Sequence, residues 1–163
     1  MAYTPADTSI LNEVEARLGN ITTANGYNNE FKRISRARMK PFKGFDLPAC
    51  NVYHGTVESI KTPYGTQSKK QFLIIEAHSK THDDPFIDIA DSLAADIVTG
   101  LFRKTISPKV SDDVSTALGG IVKNLIFTGH DPFIGSGQEP FCGTLVRFEI
   151  EYETAIGNME TFE

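Results

Sequence analysis

The 163-residue chain has no tryptophan, three methionines and two cysteines. Two thiols are too few for a disulfide scaffold. The opening Met1-Ala2-Tyr3-Thr4-Pro5 has neither a basic leader nor an apolar stretch, so no export signal is read. Cys50 and Cys142 are therefore expected as free thiols packed as small hydrophobes. Long apolar runs are missing as well. Phe72-Leu73-Ile74-Ile75 is strand-sized, far short of the roughly 20 residues needed to span a bilayer, so no membrane partner is expected. Basic excess is also lacking: 16 Lys and Arg stand against 21 Asp and Glu, a net charge of −5, which disfavours a general nucleic-acid binder.

The strongest chemical signatures are absent too. There is no Gly-Lys-Ser/Thr phosphate loop, no Gly-x-Gly-x-x-Gly and no His-Glu-x-x-His. Gly135-Ser136-Gly137 lies in a loop leading to a strand, whereas a nucleophile elbow needs Gly-x-Ser-x-Gly between strand and helix. No cofactor and no enzymatic activity are expected.

What remains is an ordinary balance of 40% hydrophobic and 23% charged residues, in a length that suits one domain over residues 1–163. Ile10, Leu11, Val14 and Leu18 repeat at helical spacing, with Asp7 or Thr8 as cap and Gly19 as stop, predicting a helix over 8–19. Residues 30–39 read as a strand. Segments 49–60 and 70–78 read as a hairpin around Thr62-Pro63-Tyr64-Gly65. Phe86, Ile89, Ala90, Leu93, Ile97 and Leu101 share one side of a helix over 85–104, with Asp84 as cap and Pro85 at its first position. Ser111-Asp112-Asp113 opens a short helix that ends near Gly119-Gly120. Strands follow over 121–128 and 143–154, separated by a Gly- and Pro-rich loop. The order α-β-β-β-α-α-β-β predicts an α+β domain with a mainly antiparallel, mixed sheet of about five strands, helices on one face, and protruding loops 61–70 and 129–140.

Three constellations carry candidate function. His78, His82 and Asp83 have metal-ligand chemistry, but the segment leaves a strand and enters a helix cap, so a solvated loop is the first reading and a divalent ion the alternative. A metal-dependent enzyme on these residues would be the competing functional class. Second, Lys32, Arg33, Arg36, Arg38, Lys40 and Lys43 form a basic run. No basic residue follows Arg147, whereas Glu149, Glu151, Glu153, Glu160 and Glu163 do. These charges suit cross-strand pairing within one sheet, or a head-to-tail interface in which Arg33, Arg36 and Arg38 of one copy meet Glu149, Glu151 and Glu153 of the next. Phe31, Phe42 and Phe45 interleave with the basic run and leave nucleic acid as a third reading. Third, Tyr64, Phe133 and Ile134 stand on the two loops, either as docking elements or folded back onto the domain.

The whole-chain pattern resembles the tail-terminator family of long-tailed bacteriophages, the minor tail protein U-like proteins. The resemblance rests on the opening amphipathic helix followed by Asn25-Gly26-Tyr27, on Leu47-Pro48-Ala49 leading into the hairpin, and on the ending Phe148-Glu149-Ile150-Glu151-Tyr152-Glu153-Thr154-Ala155-Ile156-Gly157-Asn158. Where the family pattern has Asp-Pro after the final Gly, this chain has Asn158-Met159. The resemblance implies a homo-oligomeric ring in the virion, a hexamer in the family, assembled in the host cytoplasm on the head-proximal end of the tail. Its implied partners are further copies of itself, the tail tube protein and a neck protein, with DNA only in transit through the channel. A head-tail connector or stopper is the nearest alternative. Six copies would carry thirty net negative charges, and a lumen lined by Glu149, Glu151 and Glu153 would let DNA pass without adhering.

Overall fold

The computed structural model describes residues 5–61, 65–81, 85–102, 117–135 and 141–155. Helix α1 spans Ala6–Gly19 and helix α2 spans Phe86–Phe102. The strands are β1 Arg33–Arg36, β2 Ala49–Lys61, β3 Thr66–Lys80, β4 Asn124–Gly135 and β5 Phe141–Ala155. They form one five-stranded sheet in the order β1-β2-β3-β5-β4. β1 runs parallel to β2 and the other pairings are antiparallel, so the sheet is mixed and the α+β expectation holds.

Period-two patterning decides which side of the sheet is covered. Leu73, Ile75 and Ala77 of β3 pair across to Phe148, Val146 and Thr144 of β5, and all are fully buried. Both helices cover this face. Ile10, Leu11, Val14 and Leu18 of α1 and Leu93, Ala94, Ile97 and Leu101 of α2 join the sheet residues in one apolar cluster. Arg17 locks the helices together: it is buried, pairs with Glu13 at 2.9 Å, and donates to the Leu101 carbonyl at 2.8 Å near the C-terminal end of α2. Gly100 permits close approach, since a Cβ there would sit 2.9 Å from Ile21.

Several expectations need correction. α1 begins at Ala6 after Pro5, without a side-chain cap, and Asp7 lies inside the first turn, where Tyr152 Oη donates to it. The first strand is four residues long rather than ten, because Ala37 adopts φ +47° and turns the chain out of the ladder. Residues 111–116 of the short predicted helix lie outside the described residues. Ala117–Gly120 is a 3-10 turn with left-handed Leu118 and Gly119, so no α-helix extends through 118.

Both expected loops are smaller than read. β3 begins at Thr66, with Gly65 at φ +93° completing the turn, so most of the 61–70 segment is ladder. Residues 129–135 belong to β4. A bulge between Phe127 and Gly129, with Gly129 at φ +143°, lets pairing resume beyond it. Pro132 is tolerated because β4 is an edge strand whose outer side needs no donor. Cys50 and Cys142 are free and buried, and burial raises both thiols' pKa values. They sit on β2 and β5 with β3 between, opposite Ala77 and Ser79, so the lateral spacing alone is about 9–10 Å and already beyond disulfide reach.

Candidate functional site

Among the described residues no helix packs on the second face of the sheet. Alternation points Phe72, Ile74, Glu76, His78 and Lys80 of β3 to this side, opposite Glu149, Arg147, Leu145, Gly143 and Phe141 of β5. Phe72 and Ile126 remain 44% and 47% exposed there, large apolar groups without cover.

Toward the Lys80–Phe141 end the open face meets the segment between β1 and β2. That segment is tied down by Asn51, which behaves as a piece of backbone. Its Oδ1 accepts from the Arg38 N–H at 2.8 Å and its Nδ2 donates to the Arg38 carbonyl at 3.1 Å, continuing the ladder where β1 has ended. Arg38 then donates from Nε to the Lys40 carbonyl at 2.7 Å, and its guanidinium lies 5.0 Å from the Phe42 ring centre. The result is a cavity of about 690 Å³ between the loop and the sheet, lined by Arg38, Lys40, Phe42, His78, Lys80 and Phe141 among others.

His78 forms the floor. Its ring lies 5.3 Å from Phe42 and from Phe133 and 5.8 Å from Phe141. Burial lowers its pKa from the ordinary 6.5, against a smaller opposing pull from Glu76, whose carboxylate is 3.9 Å away. Glu76 is already engaged by the Tyr53 hydroxyl at 2.8 Å, and burial together with that bond pushes the Tyr53 phenol up to about 12. Lys40 and Lys80 are exposed and have no carboxylate partner among the described residues. The cavity therefore offers aromatic walls and uncompensated positive charge. An acidic group beside an apolar one is the chemistry it fits.

The residues singled out from sequence are placed as follows. Arg33 pairs with Asp46 at 3.1 Å and holds that carboxyl below its usual range, although burial opposes the shift. Arg36 pairs with Glu15 at 2.5 Å and donates to Asn12, fastening α1 to β1. Of Arg33, Arg36 and Arg38, Arg38 alone lines the cavity. The two charged strands do not touch, since β2 and β3 separate β1 from β5.

The acidic strand is matched internally. Lys70 bonds Glu149 at 2.8 Å, and Asn124 donates to Glu151 at 2.6 Å. Lys123 and Ser68 hold Glu153 and lower its pKa. Phe133 folds back over Gly143 against His78, while Ile134 stays 59% exposed. Tyr64, His82 and Asp83 lie outside the described residues. Among the described residues no group of three His, Cys, Asp or Glu side chains is placed to hold a metal, and His78 has only Glu76 nearby.

Lys80, Phe141 and Asn51 were missed from sequence. Lys80 and Phe141 meet only through the β3–β5 register, and nothing local signals that pairing. Among the described residues no helix is long and apolar enough to cross a membrane. No family model and no curated protein matches the chain.

Proposed function

We propose that this chain is a structural subunit of a bacteriophage tail: a tail terminator that closes into a ring on the head-proximal end of the tail tube. There it stops tube growth and offers a docking face to the capsid neck. The observation that carries the reading is a sheet face that no described helix covers, in a sheet whose long strands have 13 to 15 residues in β2, β3 and β5, with Phe72 and Ile126 exposed on it. A sheet with one face packed by helices and the other carrying large apolar groups is built to be covered by protein.

Charge placement supports association between copies rather than DNA binding. Among the described residues Lys40 and Lys80 have no carboxylate partner, and both line the cavity at the Lys80–Phe141 end of the long strands. Two of the three β5 carboxylates, Glu149 and Glu153, are paired with Lys70 and Lys123 and Glu151 accepts from Asn124, so the strand is a largely matched surface rather than a bare acidic lining. Beyond β5 the sequence adds two carboxylates, Glu160 and Glu163, and no basic residue. Head-to-tail contact between unlike ends is the geometry that closes rings. Repulsion of transiting DNA then comes from the net charge of −5 per chain.

The test is electron microscopy of polymerising tail tubes with and without the purified protein. Capped tubes that cease to elongate support the reading. Tubes that elongate unchanged, with no added density at either end, overturn it.

A further inference from the structure

We propose that the cavity around His78 receives residues 156–163 of a second copy of this chain. The proposal rests on the ring reading and names the contact that joins neighbouring subunits. Ile156-Gly157-Asn158-Met159-Glu160-Thr161-Phe162-Glu163 contains two carboxylates flanking a phenylalanine and no basic residue. The cavity presents the complement: Phe42, Phe141 and the His78 ring for an aromatic group, with Lys40, Lys80 and Arg38 for carboxylates. At about 690 Å³ it has room for several side chains. Glu76, the lining carboxylate among the described residues, accepts from Tyr53, and its single charge leaves the three cations in excess.

Geometry decides whose segment enters. β5 ends at Ala155, opposite Thr66, whereas Lys80 of the cavity is opposite Phe141 at the other end of the same strand pair. Fourteen strand steps separate these ends, about 46 Å at strand rise. Even Glu76, at the near margin, is opposite Leu145, ten steps back and about 33 Å away. Eight residues fully extended span at most about 26–29 Å. The segment cannot reach its own chain's cavity and must enter a neighbour's. Each copy then gives a tail at one end and takes one at the other, a heterologous contact that propagates until it closes.

The experiment compares solution mass, by light scattering at low salt, for four forms: the wild type, a chain ending at Ala155, Lys40→Glu with Lys80→Glu, and that double change combined with Glu160→Lys and Glu163→Lys. The expected result is an oligomeric wild type, monomers for the truncated and the lysine-reversed chains, and restored assembly for the combined charge swap. Mixing the truncated chain, which keeps its cavity, with the lysine-reversed chain, which keeps its tail, should give a heterodimer and nothing larger.

Wild-type mass in both the truncated and lysine-reversed forms would overturn the tail-and-cavity contact while leaving the ring reading intact. A wild type that is monomeric at every concentration counts against the ring reading itself, and the cavity is then read separately with a labelled peptide of residues 156–163. Binding to the wild type that weakens about tenfold or more in the Lys40→Glu, Lys80→Glu chain supports the contact, and no binding to the wild type overturns it.

Discussion

Gln71 is fully buried on the helix-covered side of β3, and neither its amide nitrogen nor its amide oxygen has a hydrogen-bond partner. Its cross-strand neighbours are Val57 and Ile150, and Leu73 follows it on the same face. An amide held in such surroundings without a partner costs about 1–3 kcal/mol by mutational measure. Methionine has the same chain length and nearly the same volume, so Gln71→Met should remove that cost without opening a cavity or crowding Ile150.

We expect a gain of about 1–2 kcal/mol in unfolding free energy, which for a chain of this size raises Tm by roughly 2–8 °C. Urea denaturation should move to a higher midpoint with an unchanged slope, marking a stability change rather than altered compactness. Gln71→Glu is the matched control: a carboxylate at this fully buried position should destabilise the fold, Lys69 on the same face being the one neighbouring cation along β3 to oppose the loss. An unchanged or lower Tm for Gln71→Met would refute the reasoning, because it would mean that the amide is satisfied in the folded protein.

Asp96→Ala should destabilise by about 2–3 kcal/mol in the same assay, because this buried carboxylate accepts from the Asn29 N–H and side chain, both at 2.7 Å, and ties the 28–29 turn to α2. Gly143→Ala should cost about 1–3 kcal/mol or more by overpacking, since a Cβ there would lie 2.1 Å from the Ala77 carbonyl oxygen and 2.7 Å from the Phe133 ring; wild-type stability would contradict the close approach. His78 predicts a pH dependence with a definite sign. Its folded pKa lies below the unfolded 6.5, so the unfolded chain binds the extra proton and stability falls as pH drops through about 6.5. His78→Phe should flatten denaturation midpoints between pH 7 and 5.5, and a slope that persists in that variant would assign it to other groups.

Much of the fold was legible because it is written in periodicities that tertiary packing obeyed. Leu93, Ile97 and Leu101 recur at helical spacing and are all buried, and the alternation of Val146, Phe148, Ile150 and Tyr152 with charged residues marks the covered side of β5. Turn chemistry misled where a strand lies at the sheet edge. Gly129 and Pro132 read as loop, yet one permits a bulge and the other needs no outer donor, so β4 runs through both.

The basic run was legible as charge but not as geometry. Arg33 and Arg36 find Asp46 and Glu15 only once the chain has folded, which leaves Arg38 and Lys40 at the cavity. The pairing of Lys80 with Phe141 joins positions about sixty residues apart and depends on register, which no local pattern encodes.

The most direct test of the ring reading is the mass of the wild-type protein in solution, measured by light scattering across a concentration series at low and moderate salt. The account predicts a closed assembly near 108 kDa for six copies of the 18.0-kDa chain, weakening as salt screens the charged contacts. A single species of 18.0 kDa at every concentration and salt would contradict it.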